Sequence, residues 1–301
     1  MEELVQCVPN FSEGRDRATI EAIVAAVRTV PDVRVADWSG DPDHHRMVLT
    51  LVGPAAAARD AAFAAAVEAV RRIDLTQHAG EHPRLGAVDV VPFVPLGSTS
   101  MELCIRTARE FGARAAAELK LPVYFYEEAA TRPERRSLAL VRGAGFDALR
   151  RVPLTAERAP DLGPPHVHPT AGAVAVGARG RLLAFNVNLR SDDLEVARTI
   201  ARAVRERDGG LRGVRALGVR LPSRGHVQVS INITQPDRVP LYRVLELVRA
   251  EARRWNVAIS GTELIGTLRL SDLLETARYS LGLHGLRETQ VLDTGLADSS
   301  A

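Results

Sequence analysis

The chain of 301 residues is longer than most single domains, which favours two structural units, each with its own hydrophobic core. Hydrophobic residues make up 46% and charged residues 25% of the sequence, a balance that excludes disordered and fibrous proteins. The net charge of +2 and the aromatic content of 4% argue against nucleic-acid binding, and no apolar run reaches the length of a membrane span.

The first half of the chain predicts elements in the order β-α-β-β-α-β. An apolar stretch at 4–9 is typical of a strand, and Asp16 is the expected N-cap of a helix whose apolar residues recur at helical spacing. The remaining elements are strands at 33–37 and 47–52, a helix after Pro54 and a strand at 87–94.

The second half predicts the same order of elements. They are a strand at 181–189, a helix at 192–206, strands at 213–221 and 226–234, a helix after Pro240 and a strand at 257–266. The repeat predicts an α+β fold of two ferredoxin-like βαββαβ subdomains, each a mostly antiparallel sheet with helices on one face, and a ligand cleft between them. We place the subdomains at 1–180 and 181–301.

Between the two repeats, the sequence predicts a helix at 101–119 and a strand at 122–126. Prolines and glycines at 158–172 exclude regular helix, so we expect a loop that connects the subdomains. The polar residues from about 287 onward predict a frayed tail. The start of the chain has no basic n-region, so we expect a cytoplasmic protein, and the only two cysteines, Cys7 and Cys104, are expected to be buried thiols.

The stretch HAGEHPRLGAVDV, residues 78–90, places two histidines, a glutamate and an arginine between a helix and a strand. Gly80 and Gly86 are expected to supply unusual backbone angles there. A histidine in such a loop can act as a general base, with a carboxylate to hold its tautomer. A surface loop that ends the helix is the alternative interpretation.

Two further polar stretches are candidates for ligand contacts. DWSGDPDHHRMVLT, residues 37–50, carries aspartates and histidines that form either a hydrophilic turn or part of a metal site, but the spacing matches no metal motif. Asn10 and Ser12 end one predicted strand, and Asn186 and Asn188 occupy the matching place in the second repeat. These amides face either a ligand or ordinary hydrogen-bond partners.

Six stretches are specific in wording and order: CVPNFSEGR, GEHPRLGAVDVVPFVPL, PVYFYEEAA, APDLGP, GARGRLLAFNVNL, and QVSINIT followed by GTELIG. In this order and spacing they resemble the glutamate formimidoyltransferase family, from Cys7 to Gly266. The resemblance implies a transferase of two α/β subdomains, usually a homodimer. Some members of the family carry a cyclodeaminase domain after the transferase, and we expect this chain to have the transferase part only. No nucleic-acid or membrane partner is expected.

The resemblance implies transfer of the formimino group of N-formimino-L-glutamate to N5 of tetrahydrofolate, a step of histidine degradation and one-carbon metabolism. Tetrahydrofolate is then a co-substrate, and no metal is expected. His82, in the family's G-E-H-P-R motif, is implied to be the catalytic base, and we add Asp37 and Glu81 as candidate catalytic carboxylates. The folate-binding loop of the family corresponds to Gly163, Pro164, Pro165, His166, Val167, His168, Pro169, Thr170, Ala171 and Gly172.

Arginines suit the binding of folate, because folates carry glutamate carboxylates that a guanidinium group holds in a bidentate manner. We assign substrate binding to six polar side chains, Asn10, Ser12, Arg46, Arg84, Asn186 and Asn188.

The chain departs from the family pattern at two places. Asp37, Trp38 and Ser39 stand where the family commonly has Asp-x-Asp, and His45 stands where Asn usually precedes the arginine. Three alternatives therefore stay open: formyl transfer between 5-formyltetrahydrofolate and glutamate, metal-dependent hydrolysis of an N-formimino or N-formyl amino acid, and folate binding without catalysis.

Overall fold

The computed structural model describes residues 3–80, 83–143, 145–151, 154 and 156–292. The chain divides into two compact units, Met1–Gly180 and Arg181–Ala301, and each has a hydrophobic core of its own. Cys7 and Cys104 are buried free thiols, as predicted. Among the described residues, none of the helices has the combination of length and apolar character that crossing a membrane requires.

The first unit begins with the predicted βαββαβ arrangement. Its elements are β1 (Leu4–Cys7), β2 (Asn10–Phe11), α1 (Arg17–Arg28), β3 (Arg34–Asp41), β4 (Arg46–Pro54), α2 (Ala55–Arg72) and β5 (Val88–Pro95). Strands β1 and β2 both pair antiparallel with β4 and β5, and β3 pairs antiparallel with β4. These pairings form the antiparallel sheet expected of a ferredoxin-like unit.

Helix α1 shows why this part of the fold is predictable. The Asp16 side chain accepts a hydrogen bond from Ala18 N at 3.0 Å and caps the helix, as expected. Ile20, Ile23 and Val27 lie on the buried face, which packs into the first core. The cap and the apolar spacing were both visible in the sequence.

The first sheet extends beyond the predicted unit. Helix α3 (Met101–Glu118) and strand β6 (Val123–Glu127) follow β5, and β7 (Val174–Ala178) pairs in parallel with both β5 and β6. From the sequence, the helix and β6 were set apart from the first βαββαβ repeat, but β6 belongs to the same seven-stranded sheet as that repeat. Strand β7 was not predicted, since alanine and glycine have low strand propensity; its five residues are all buried.

The stretch at 158–172 contains no long helix or strand, as predicted, but it does not connect the two units. Because β7 follows it and rejoins the first sheet, the stretch lies within the first unit. Before it come two short helices, α4 (Leu138–Arg142) and α5 (Gly145–Leu149).

The second unit is a ferredoxin-like βαββαβ unit as predicted, with one added helix. Its elements are β8 (Leu183–Leu189), α6 (Leu194–Val204), β9 (Val214–Leu221), β10 (His226–Ile233), α7 (Leu241–Arg254), β11 (Ile259–Ile265) and α8 (Leu270–Leu281). The sheet order is β11-β8-β10-β9, and every pair is antiparallel. Phe185, Val187 and Leu189 alternate along β8 and fill the core, so Asn186 and Asn188 lie on the opposite face.

Candidate active site

The predicted base His82 and the neighbouring Glu81 lie outside the described residues. The structure does describe both flanks of this position. Arg84 joins the two flanks, because its Nη2 donates to the carbonyl of His78 at 2.8 Å and to Asp147 Oδ2 at 3.0 Å. The predicted substrate residue Arg84 thus ties the segment before Glu81 to the segment after His82.

His45 and His78 form a stacked pair beside this loop. Their ring centroids are 3.9 Å apart with an angle of 7° between the planes. His78 Nε2 donates to the carbonyl of His45 at 3.0 Å, and His45 Nδ1 lies 3.0 Å from the carbonyl of Ala79. His45 Nε2 lies 3.1 Å from Glu13 Oε1. The turn that precedes β4 and the predicted catalytic loop are therefore held together.

Glu13 anchors the turn before helix α1 as well as His45. Its Oε1 atom accepts hydrogen bonds from the backbone N–H groups of Gly14, Arg15 and Asp16, at 2.9, 2.8 and 2.9 Å. This role of Glu13 was not predicted from the sequence. A glutamate at the start of a turn is a signal for it, because its carboxylate can accept from backbone N–H groups that are not paired within a helix or strand.

Close backbone approach explains the two glycines of the loop. Neither Gly80 nor Gly86 has a positive φ, so the predicted reason for them is wrong. A Cβ atom at Gly80 would lie 2.6 Å from His45 Cβ, and one at Gly86 would lie 1.9 Å from the carbonyl oxygen of Ala173. Both positions need glycine because another chain segment lies against them.

His78 is suited to a structural role. Burial, chiefly, lowers its pKa from 6.5 to about 4, with a smaller contribution from the charge of His45. Because Nε2 donates to a carbonyl, the neutral ring has an unprotonated Nδ1, which is buried and has no hydrogen-bond partner among the described residues. His78 is thus a neutral histidine at neutral pH.

The lowered pKa of His78 predicts acid sensitivity of the first unit. Between pH 6.5 and about 4 the unfolded chain binds a proton at His78 that the folded chain does not bind. The contribution of neutral His78 to the free energy of unfolding is therefore fully present above pH 6.5 and is lost as the pH falls toward 4. We expect the free energy of unfolding to fall by about 2 kcal/mol more in the wild type than in His78→Gln between about pH 7 and pH 5.

Urea titrations followed by tryptophan fluorescence would measure this difference. The two tryptophans are Trp38 in the first unit and Trp255 in the second, so Trp255→Phe leaves a reporter for the first unit. His284→Gln, at an exposed position, is the control and should follow the wild type. Parallel pH profiles for the wild type and His78→Gln would contradict the prediction.

A buried ionic cluster lies next to the loop and consists of Asn10, Arg46, Asp89 and Arg142. Arg46 donates from Nε and Nη2 to Asn10 Oδ1 at 3.1 and 2.8 Å, and from Nη1 to Asp89 Oδ2 at 2.6 Å. Arg142 donates from Nη2 to the same Asp89 oxygen. Asp89 is fully buried, and its other oxygen accepts from Leu85 N at 2.7 Å.

The structure brings together two predicted substrate residues in this cluster with two residues that were not predicted. Asn10 and Arg46 were predicted, whereas Asp89 and Arg142 were not. Asp89 had a signal: it is a carboxylate within the apolar strand β5, and a buried carboxylate needs a partner. Arg142, at the end of a five-residue helix, had no such signal in the sequence.

The other predicted residues of the first half have different surroundings. Ser12 is buried and donates from Oγ to the carbonyl of Gly86 at 2.8 Å, so it fixes the end of the loop. Asp37 lies on strand β3, opposite Thr50 of β4. Within the part of the chain that the structure describes, no hydrogen bond or ion pair joins Asp37 to the ionic cluster, and its catalytic role stays a prediction.

The predicted folate loop, residues 163–172, contacts the segment that follows His82. Gly172 forms an isolated β-bridge with Gly86, and Ala87 N donates to the carbonyl of Ala171 at 2.9 Å. His168 Nδ1 accepts from Ala171 N at 3.0 Å, and burial lowers the pKa of His168. The side chains divide into buried and exposed ones: Val167 and Ala171 are buried, whereas Pro165, His166 and Pro169 are exposed.

In the second unit, Asn188 belongs to a polar network on the sheet face opposite that of Phe185, Val187 and Leu189. Asn188 Nδ2 donates to Glu263 Oε1 at 3.0 Å, and Gln228 Nε2 donates to Asn188 Oδ1 at 2.8 Å. Burial opposes ionisation of Glu263, but hydrogen bonds from Asn188 and Arg224 lower its pKa overall. Asn186 lies beside them, opposite Ser230 in the neighbouring strand.

The network was only partly predicted. Asn186 and Asn188 were assigned from the sequence, whereas Gln228 and Glu263 were not, although each lies in a stretch that carries the family resemblance. Among the described residues, no group of three or more His, Cys, Asp or Glu side chains is arranged to hold a metal ion.

Comparisons with known proteins match both units. The family model "Formiminotransferase domain, N-terminal subdomain" matches residues 4–179, and the model "Formiminotransferase domain" matches residues 184–290. Together these matches cover nearly the whole chain.

Three relatives illustrate the similarity. The chain is 42% identical over 281 residues to a glutamate formimidoyltransferase of Streptococcus pyogenes serotype M1, covering 93% of this chain and 94% of the relative. It is 44% identical over 292 residues to a glutamate formimidoyltransferase of Thermoplasma acidophilum, covering 96% of each. It is 40% identical over 285 residues to a formimidoyltransferase-cyclodeaminase of Mus musculus, covering 93% of this chain and 52% of the mouse protein.

Proposed function

Because the chain belongs to the formiminotransferase family, we propose that it transfers the formimino group of N-formimino-L-glutamate to N5 of tetrahydrofolate. The products are 5-formimidoyltetrahydrofolate and L-glutamate. The observation that carries the proposal is the match of both units, 4–179 and 184–290, to the formiminotransferase domain. Relatives named glutamate formimidoyltransferase, which are similar over nearly their full length, support the same reaction.

We assign the proton transfers to His82. The N5 amine of tetrahydrofolate loses a proton as it attacks the formimino carbon, and a neutral imidazole within hydrogen-bond reach accepts that proton. When the bond between this carbon and the glutamate nitrogen breaks, the same ring returns a proton to the departing nitrogen. The fixed positions of His78 and Arg84, which flank the His82 position in the sequence, support a well-placed base.

The amidine of the donor becomes more electrophilic when it is cationic, so a nearby carboxylate would stabilise the charge that persists through the tetrahedral intermediate. Asp37 and Glu81 are our candidates for this role. Asp37 lies on β3, whose neighbour β4 begins at Arg46 of the ionic cluster. This shared sheet supports the assignment of Asp37.

We propose that tetrahydrofolate binds at the loop 163–172 as a co-substrate. The support is the bridge between Gly172 and Gly86, which joins this loop to the segment following His82. Substrate contacts are assigned to polar side chains of the two units: Asn10, Ser12, Arg46, Arg84, Asn186 and Asn188. We also propose that the enzyme works as a homodimer in the cytoplasm, and sedimentation equilibrium would test the dimer.

The direct test mixes purified, metal-stripped protein with tetrahydrofolate and N-formimino-L-glutamate and follows the 5-substituted folate and free glutamate together. We expect equal amounts of both products. Release of glutamate without a substituted folate indicates a hydrolase. If the metal-stripped protein releases glutamate only after a divalent ion is added, the hydrolase is metal-dependent. Transfer from N-formyl-L-glutamate alone would identify formyl as the cargo, and folate binding without turnover would leave a binding protein.

A further inference from the structure

We propose that Arg142 binds a carboxylate of N-formimino-L-glutamate and is thus a binding residue for the donor substrate. The inference rests on the proposed function and adds a residue that neither the sequence motifs nor the family resemblance identified. Arg142 ends helix α4, and its Nη2 donates to the buried carboxylate of Asp89.

The first support is the unused donors of Arg142. A guanidinium group carries five N–H donors. Arg46 uses all three of its nitrogens on Asn10 and Asp89. Arg142 uses only Nη2, and its Nε is buried without a hydrogen-bond partner in the part of the chain that the structure describes. Leaving such a donor unpaired is costly, and a ligand acceptor would remove that cost.

The second support is charge. Two guanidinium groups share one oxygen of Asp89, so Arg46, Asp89 and Arg142 together carry a formal charge of about +1 in a site where the carboxylate is fully buried. Only 10% of the Arg46 side chain and 17% of the Arg142 side chain are exposed, so water compensates this charge weakly. A ligand carboxylate would neutralise the cluster, and the planar guanidinium group suits it geometrically.

The third support is position relative to the proposed catalytic loop. Asp89 Oδ1 accepts from Leu85 N at 2.7 Å, and Leu85 is three residues after His82 in the sequence. Phe146 N, four residues beyond Arg142, donates to the carbonyl of Arg84 at 3.0 Å. The Arg142 segment therefore lies along the residues that follow His82. The glutamate tail of folate is far from the reacting N5 in the molecule, so the carboxylate nearest the chemistry belongs to the donor.

The test compares Arg142→Gln and Arg142→Lys with the wild type in steady-state transfer, varying each substrate separately. We expect Arg142→Gln to raise the KM for N-formimino-L-glutamate by about 10- to 100-fold, because a charged hydrogen bond is lost. The KM for tetrahydrofolate and the kcat should change little. Arg142→Lys should give an intermediate KM, since lysine keeps the charge but not the planar pair of donors.

The variants should fold, because Asp89 keeps its bonds to Arg46 and to Leu85 N in the absence of Arg142. Arg136→Gln is the matched control: Arg136 lies in the same stretch of the chain, is 61% exposed and pairs with the exposed Glu128, so both KM values should stay at wild-type levels. Far-ultraviolet circular dichroism and urea midpoints would establish that the compared proteins are folded.

Three results would overturn the proposal. A rise in the KM for tetrahydrofolate instead, absent when the tail-less tetrahydropteroate is used, assigns Arg142 to the folate carboxylate. Unchanged KM values with a lower urea midpoint make Arg142 only a counter-ion of Asp89. If the wild type transfers nothing, the proposed function fails, and calorimetric titration with L-glutamate still decides the binding role: equal affinity of the wild type and Arg142→Gln excludes it.

Discussion

Replacement of His82 by alanine is expected to lower kcat/KM for formimino transfer by about 10²- to 10⁴-fold, the usual contribution of a general base. The loss follows from the proton that N5 of tetrahydrofolate must release during attack. Because the base acts in its neutral form, the wild-type rate should fall on the acid side of the pH profile, and that limb should be absent from the residual activity of His82→Ala.

The measurement is a steady-state assay of 5-formimidoyltetrahydrofolate formation from about pH 5 to about pH 9, a range that brackets the ordinary titration of histidine. His284→Gln provides a matched control, since it removes an exposed histidine of the second unit and should leave rate and pH profile unchanged. A folded His82→Ala protein with activity within about threefold of the wild type would reject the assignment of His82, because a general base contributes far more.

The sequence predicted those parts of the fold that depend on local signals. The Asp16 cap, the apolar spacing of α1 and the alternation of β8 each lie within one short segment. Strand β7 was missed because its signal is not local. β7 consists mainly of alanine, valine and glycine, and it is a strand because the neighbours β5 and β6 supply its hydrogen bonds.

The candidate site was predictable where chemistry is written into a motif and unpredictable where it depends on distant contacts. His82, Arg84 and the loop 163–172 were predicted from motifs. The structure places Gly86 and Ala87, which follow His82, against Ala171 and Gly172 of that loop. Arg142 contacts Asp89 across 53 positions of the chain, and no local pattern announces such a pair. Asp89 itself could have been found, because a carboxylate inside an apolar strand requires a buried partner.

Replacement of Asp89 by asparagine is expected to have the largest effect on stability. The side chain is fully buried and accepts from Arg46, Arg142 and Leu85 N. Asparagine has nearly the shape of aspartate but carries no charge. The guanidinium groups of Arg46 and Arg142 would therefore lose their counter-ion. Removing one side of a buried ion pair costs about 3–5 kcal/mol, so we expect the first unit to lose that much free energy of unfolding.

Urea unfolding in the Trp255→Phe background reports on the first unit through Trp38 and gives the size of the loss. Asp147→Asn is the control, because Asp147 pairs with Arg84 at 3.0 Å but is 58% exposed, and exposed pairs contribute less than about 1 kcal/mol. Adding Arg142→Gln to Asp89→Asn removes one uncompensated cation and should recover part of the loss, whereas strictly additive losses would contradict a shared buried cluster.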